Sequence, residues 1–184
     1  MGDDQRGAAP HQVLQRLLHQ RLAGGVQRAL DVWDRCGIKG TVIVCAVLAE
    51  RYPEVLRSIT EAGHDIVAHS YGMDVIPAYL DVDAERENIR RTTRLIEEAS
   101  GVRPRGWISP RSSPTPHTAR LLAEEGYLWH GDTMNDDLPY RVQFGEHSII
   151  AFPGGMELND TPLSVRYGNS PRMMLEIFDD WLEY

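Results

Sequence analysis

The sequence predicts an α/β fold built on a mainly parallel β-sheet. Short apolar runs typical of buried strands alternate with longer segments whose apolar residues recur at helical spacing. The run from Thr41 to Val47 is rich in β-branched residues, as expected of a strand covered on both faces. Because strands separated by helices usually pair in parallel, the architecture is either a (β/α) barrel or a doubly wound sheet.

The N-terminal half is predicted to begin with two helices. An apolar stripe at helical spacing covers residues 13–22, and Gly24-Gly25 is expected to end this first helix, so residues 1–23 are set apart as an atypical N-terminal helix. A second helix ends near Gly37. After the strand at 41–47, a short helix is expected at 53–62 and the second strand at 65–68.

The C-terminal half continues the alternation. Asp83 is a predicted N-cap for a helix that ends at Gly101, and Thr115-Pro116 and Ser170-Pro171 mark the starts of two later helices. Strands are predicted at 106–109, 127–130 and 148–152. Residues 131–146 are predicted to be irregular, and loops of such length are usually functional or mobile.

Composition narrows the class of protein. The 184 residues predict a single domain, 1–184, and the net charge of −8 argues against a nucleic-acid partner. No apolar run reaches membrane-spanning length, and the N-terminus lacks the features of a signal peptide, so no membrane association and a cytoplasmic location are predicted. The two cysteines, Cys36 and Cys45, are too few for a disulfide framework and are predicted to be buried thiols.

Polar side chains follow the predicted strands. Because the carboxyl ends of parallel strands meet at one edge of a sheet, we expect these residues to cluster there, with His69, Ser109, Arg111 and Asp132 lining one pocket. Alternatives remain open from the residues alone: a histidine bound only by backbone groups, carboxylates that cap loops, and an arginine in a structural ion pair. The residues are His69 after the second strand, Ser109 and Arg111 after the third, Asp132, Asn135 and Asp136 after the fourth, and Glu157 after the fifth.

Several segments together resemble the polysaccharide deacetylase (NodB-homology) family, nearest to its allantoinase-like branch. His69-Ser70-Tyr71-Gly72-Met73 is similar to the H-[S/T]-x-x-H metal-binding motif, with Met73 at the position of the second histidine. Residues 103–110 look like the third motif, and 135–140 and 156–160 resemble the N-D-D-x-P-Y and E-L-N-D segments of the branch. Counterparts of the first and last family motifs are expected to be missing.

The resemblance implies a partial or deformed (β/α) barrel and hydrolysis of a non-peptide C–N bond, in an N-acetyl group or a cyclic ureide. In that interpretation His69 polarises the carbonyl or holds a metal, and Asp132 or Asp136 handles water. Substrate binding is assigned to Ser109, Arg111, Asn135 and Glu157. The alternative is a degenerate barrel that binds a ligand or partner without catalysis.

The resemblance also implies cofactors and partners. With Met73 in place of the second histidine, His69 is the one family metal ligand that remains, so zinc is expected to be weakly held and a metal-independent reaction is favoured. The substrate is expected to be a small molecule or a saccharide. A barrel without its first and last strands exposes sheet edges, which predicts a homo-oligomer.

Overall fold

One six-stranded sheet organises the protein, whose computed structural model describes residues 10–154, 159 and 161–183. The strand order is β1-β2-β3-β4-β6-β5, and all neighbours are parallel except β5 and β6, which form an antiparallel hairpin. Within the described residues this sheet does not close, as in a partial barrel. The strands are β1 (Thr41–Val44), β2 (Asp65–Ala68), β3 (Gly106–Trp107), β4 (Trp129–Thr133), β5 (Tyr140–Phe144) and β6 (His147–Pro153).

Helices connect most of the strands. Short 3-10 turns lie at Pro77–Tyr79 and Pro110–Ser112, and a π-helical segment spans Thr161–Arg166. Among the described helices, no segment is long and apolar enough to span a membrane. The helices are α1 (Pro10–Cys36), α2 (Ala46–Arg51), α3 (Pro53–Glu61), α4 (Val82–Ser100), α5 (Thr118–Glu124) and α6 (Pro171–Glu183).

The core lies between one face of the sheet and helices α2 to α5. Across four strands, Ala68, Trp107, His130 and Ala151 are in register and buried. Side chains from these four helices, together with Leu30 of α1, complete this core. Its most deeply buried members include Leu56, Ile59, Ile89, Ile96 and Leu121.

The opposite face of the sheet, which we call the uncovered face, is about half exposed at Ile43 and Phe152, although Val67 between them is fully buried. Successive side chains of a strand point to opposite faces, so this face carries Ile43, Val67, Trp129 and Phe152. Ile43 and Phe152 are about half exposed, at 51% and 52%. The Trp129 indole covers Gly106, where an added Cβ would lie 2.3 Å from the ring. Only glycine therefore fits at that point of β3.

Several predicted boundaries were wrong. Helix α1 runs unbroken through Gly24-Gly25, so residues 10–23 do not form a separate helix. Glycine inside a helix costs about 1 kcal/mol relative to alanine, which neighbouring helix-forming residues can offset. Strand β1 ends at Val44, because Ala46 already begins helix α2. Cys36 is exposed at the end of α1, and of the two thiols Cys45 alone is buried as predicted.

The predicted irregular segment 131–146 was also wrong. Strand β4 extends to Thr133, and β5 pairs with β6 from Tyr140 to Phe144. Gly145 lies in the turn between β5 and β6 with a φ of 61°, a conformation that glycine adopts at little cost. Elsewhere Asp81, not Asp83, caps α4, since its side chain accepts a hydrogen bond from the Ala84 N–H at 2.8 Å.

Candidate active site at the carboxyl edge of the sheet

His69 lies directly after β2, at the carboxyl edge of the sheet. Its Nδ1 is 2.6 Å from the carbonyl oxygen of Ile108, which follows β3. Because a carbonyl can only accept, Nδ1 carries the proton of the neutral ring and Nε2 keeps its lone pair. Burial lowers the pKa of His69, and the bond to Ile108 opposes that shift only in part. The ring is therefore neutral at pH 7.

The backbone around His69 is held by neighbouring strands. The His69 N–H donates to the Val44 carbonyl at 2.9 Å, and the Cys45 Sγ lies 3.2 Å from the His69 carbonyl, to which it donates. On the other side, the Ile108 N–H donates to the Ala68 carbonyl at 3.0 Å. These contacts fix the position of His69 relative to β1 and β3.

Ser70 adopts a left-handed backbone conformation, with a φ of 60° and a fully buried side chain. Such a conformation costs a non-glycine residue roughly 1–3 kcal/mol, so surrounding bonds must hold it. The Ser70 Oγ donates to the Val75 carbonyl at 3.0 Å and accepts from Asn88 Nδ2 at 2.7 Å. Asn88 Oδ1 also accepts from the Tyr71 N–H at 3.1 Å. Helix α4 thereby holds the segment that follows His69.

Asp132 lies on β4 and binds Ser109 through both carboxylate oxygens. Its Oδ1 accepts from the Ser109 N–H at 2.6 Å, and its Oδ2 accepts from the Ser109 Oγ at 2.7 Å. The Trp107 indole N–H donates to the same Oγ at 3.0 Å. Burial raises the pKa of Asp132, the two bonds from Ser109 lower it, and the nearby charge of Glu85 raises it further. The carboxyl group is 9% exposed.

His69 and Asp132 share an edge of the sheet but lie on opposite faces. Along β4, His130 and Asp132 are buried while Trp129 and Gly131 are less so, which places Asp132 on the helix-covered face. His69 follows Val67 by two residues and lies on the uncovered face. The structure therefore connects His69 with Asp132 through the Ile108–Ser109 peptide group rather than through a direct contact.

Three of the remaining predicted site residues, Arg111, Asn135 and Asp136, lie on the loops of the same edge. Asn135 Oδ1 accepts from the Tyr140 hydroxyl at 2.9 Å, and Asp136 Oδ1 accepts from the Asp137 N–H at 2.9 Å, a loop-capping contact. Arg111 is exposed, has a φ of 58°, and forms no ion pair within the part of the chain that the structure describes. Glu157 lies outside the described residues. The roles assigned to these residues stay predictions.

Two residues that hold the site were missed by the sequence reasoning. Asn88 lies on the buried face of α4 next to Ile89, and a polar side chain at such a position signals a buried hydrogen bond. Ile108 contributes only its carbonyl group, which carries no sequence signal at all.

A divalent metal fits the described residues poorly. Between residues 10 and 183, leaving out the undescribed positions, no three His, Cys, Asp or Glu side chains form a group that could hold an ion. His69 offers one free ring nitrogen, Nε2, and the side chain of Met73 is 53% exposed. Zinc in proteins takes three or four such ligands.

This geometry defines a class of protein: an open, barrel-like α/β fold with polar side chains at the carboxyl edge, where such folds carry their chemistry. The sequence profile of the polysaccharide deacetylase family matches residues 21–129, more than half of the chain. The chain belongs to the polysaccharide deacetylase family, as the motifs predicted.

Similar proteins agree with this assignment. The chain is 25% identical to a peptidoglycan deacetylase of Helicobacter pylori over 123 residues, covering 66% of the chain and 42% of that protein. The structure superposes on a protein from Mycobacterium smegmatis assigned as a polysaccharide deacetylase, with a TM-score of 0.77 and 31% identity over 90% of this chain and 61% of the other. It also superposes on the allantoinase PuuE, with a TM-score of 0.75 and 29% identity over 92% and 57%.

The comparisons confirm the partial-barrel fold and the resemblance to the allantoinase-like branch. The chain spans less than half the length of the curated relatives it matches. Deacetylases of this family generally depend on a metal ion, so the predicted metal independence finds no support in these comparisons.

Proposed function

We propose that this chain carries part of the active site of a hydrolase that cleaves a non-peptide C–N bond, in an N-acetylated saccharide or in a small cyclic ureide. The observation that carries the proposal is the orientation of His69. Its Nδ1 is committed to the Ile108 carbonyl at 2.6 Å, so Nε2 is the ring atom left for chemistry. Family membership supports the reaction class.

The tautomer selects among the roles proposed for His69. With Nε2 unprotonated, the ring cannot donate a hydrogen bond to polarise a substrate carbonyl. It can accept a proton from water, as a general base does, or act as a ligand to an ion. The lowered pKa of His69 keeps this nitrogen free of a proton at neutral pH.

The substrate is proposed to bind on the loops beside His69. Arg111 presents a guanidinium that is suited to a carbonyl or carboxylate oxygen. Asn135 and Asp136 follow β4 on the neighbouring loop, where they could bind polar groups of a saccharide or ureide. Saccharides and small cyclic ureides both carry such polar groups, so an activity assay must distinguish the two substrate classes.

The alternative is a deacetylase-like protein that binds a ligand without cleaving it. Two observations favour this alternative: both oxygens of Asp132 are occupied by Ser109, and Asp136 caps its own loop. In the described arrangement the Asp132 carboxylate is therefore not free to activate water, and one oxygen of Asp136 is held by its own loop.

An assay of both substrate classes tests the proposal. N-acetylglucosamine oligomers and allantoin would each be incubated with the protein, with and without added zinc or cobalt. We expect little sugar deacetylation by this chain alone and measurable opening of the ureide ring. His69→Ala should lower any true activity by about 100-fold or more, the usual contribution of a general base.

His147→Ala is the matched control, because His147 is exposed at the amino end of β6, away from the candidate site. An activity that His69→Ala leaves unchanged would contradict the proposal. Ligand binding without turnover of either substrate would support the non-catalytic alternative.

A further inference from the structure

The Ile108–Ser109 peptide group links the two candidate site residues. Its carbonyl oxygen is 2.6 Å from His69 Nδ1, and its N–H donates to Asp132 Oδ1 at 2.6 Å. A trans peptide is planar and points its C=O and N–H in opposite directions. In this sheet β3 lies between β2 and β4, so the same plane faces His69 on one side and Asp132 on the other.

We propose that Asp132 is a positioning residue: by binding Ser109 it orients the Ile108 carbonyl, which in turn holds His69 in the tautomer protonated at Nδ1. This inference deepens the proposed function and rests on it for its catalytic meaning. The hydrogen-bond geometry can be tested independently of any activity.

Two hydrogen bonds fix this peptide group against Asp132. The carboxylate accepts from both the N–H and the Oγ of Ser109, so the residue cannot rotate without breaking both bonds. The Ser109 Oγ accepts a hydrogen bond from the Trp107 indole N–H, so the hydroxyl hydrogen of Ser109 is directed toward Asp132. Trp107 is itself fully buried in the core, so the anchor is rigid.

Charge adds to this geometric effect. A carboxylate bound to a peptide N–H polarises the peptide group and makes its carbonyl a stronger acceptor, because hydrogen bonds in a chain reinforce one another at low dielectric. The Ile108 carbonyl should therefore hold the Nδ1 proton of His69 more tightly than an isolated carbonyl would.

The competing role for Asp132 is that of a general base that takes a proton from the attacking water. Both of its oxygens are committed to Ser109, and it lies on the helix-covered face while His69 lies on the other. The geometry therefore favours action through Ser109 over contact with the reacting atoms.

¹⁵N NMR of histidine-labelled protein tests this inference, because it measures which ring nitrogen of His69 carries the proton. Spectra would be recorded in chelator-containing buffer, at a pH well above the ordinary pKa of histidine. In the wild type we expect a protonated Nδ1 and an unprotonated Nε2. In Asp132→Ala the ratio of this tautomer to the other should fall by about threefold to tenfold, which is the range that one hydrogen bond controls.

Further variants keep the test decisive. Asp132→Asn retains an oxygen that can accept from the Ser109 N–H and should restore part of the bias. Ser109→Ala keeps the N–H bond and should give an intermediate shift. Asp137→Ala, which removes an exposed carboxylate from the next loop, should leave the tautomer unchanged. These variants also serve if Asp132→Ala does not fold.

An unchanged His69 tautomer in folded Asp132→Ala, or in Ser109→Ala if Asp132→Ala does not fold, would overturn the inference. Activity lost in Asp132→Asn with the tautomer unchanged would assign Asp132 a direct role. If the wild type is inactive on both substrate classes but the tautomer shifts as expected, the positioning network stands and the proposed function fails.

Discussion

Replacing Asn88 with alanine should destabilise the protein, because it removes the bridge between α4 and the segment after His69. Two hydrogen bonds are lost, at 2.7 Å and 3.1 Å, and the two loop groups that they satisfy lose a partner. A net loss of about 1 kcal/mol per bond, with further cost for any group left unpaired in the interior, predicts about 2–4 kcal/mol in all. The left-handed backbone of Ser70 also loses one of the contacts that hold it.

Thermal denaturation followed by circular dichroism measures this loss. For a domain of this size, 1 kcal/mol lowers Tm by about 2–4 °C, so Asn88→Ala should melt roughly 4–16 °C below the wild type. Glu87→Ala is the control, since Glu87 is the exposed neighbour on the same helix and should change stability by less than about 0.5 kcal/mol. Equal midpoints for the two variants would refute the reasoning.

Three other predictions concern pH, metal and assembly. Burial lowers the pKa of His130, whose ring nitrogens have no hydrogen-bond partner in the described structure. Below about pH 6.5 the unfolded chain therefore binds a proton at His130 that the folded protein does not bind, so the stability present above this pH is lost as pH falls. In His130→Leu the free energy of unfolding should depend less steeply on pH between about 7 and 5. An identical slope in the wild type and the variant would contradict this. Dialysed protein should carry well under one zinc per chain by elemental analysis, and stoichiometric zinc that His69→Ala removes would prove the metal prediction wrong. A homodimer is expected in sedimentation at micromolar concentration, because a second copy can cover both the uncovered sheet face and the exposed apolar residues of α6. The double variant Phe178→Ser with Trp181→Ser should shift the equilibrium toward monomer, whereas the control Asp180→Ala should not. A monomeric wild type would count against this prediction.

Local signals in the sequence predicted much of the fold. The β-branched and apolar runs located β1, β2, β3, β4 and β6, and the Ser170-Pro171 pair located the start of α6. These signals succeed because burial on both faces of a parallel strand and the capping of a helix leave marks within a few residues. Strand β5 was missed although residues 140–144 alternate between apolar and polar side chains, the pattern of a half-buried strand, and its burial follows that alternation.

Part of the candidate site could likewise be predicted from the sequence, and part could not. The order of strands and helices alone placed His69, Ser109 and Asp132 at one edge of a parallel sheet, because parallel strands end on the same side. Their relation within that edge depended on strand register and on which face each side chain occupies. The sequence predicted that Asp132 is a base and that Ser109 contacts the substrate, whereas the structure shows the two side chains hydrogen-bonded to each other.

By its motifs and alternating pattern, the sequence itself determined the family, the mainly parallel sheet and the edge that holds the polar residues. Only the tertiary structure decided the tautomer of His69, the partners of Asp132 and the contact of Asn88 with the segment after β2. Those features depend on hydrogen bonds between residues 17 to 39 positions apart and on backbone carbonyl and amide groups. Every residue but proline carries the same backbone donor and acceptor, so their pairing becomes specific only when the strands are in register.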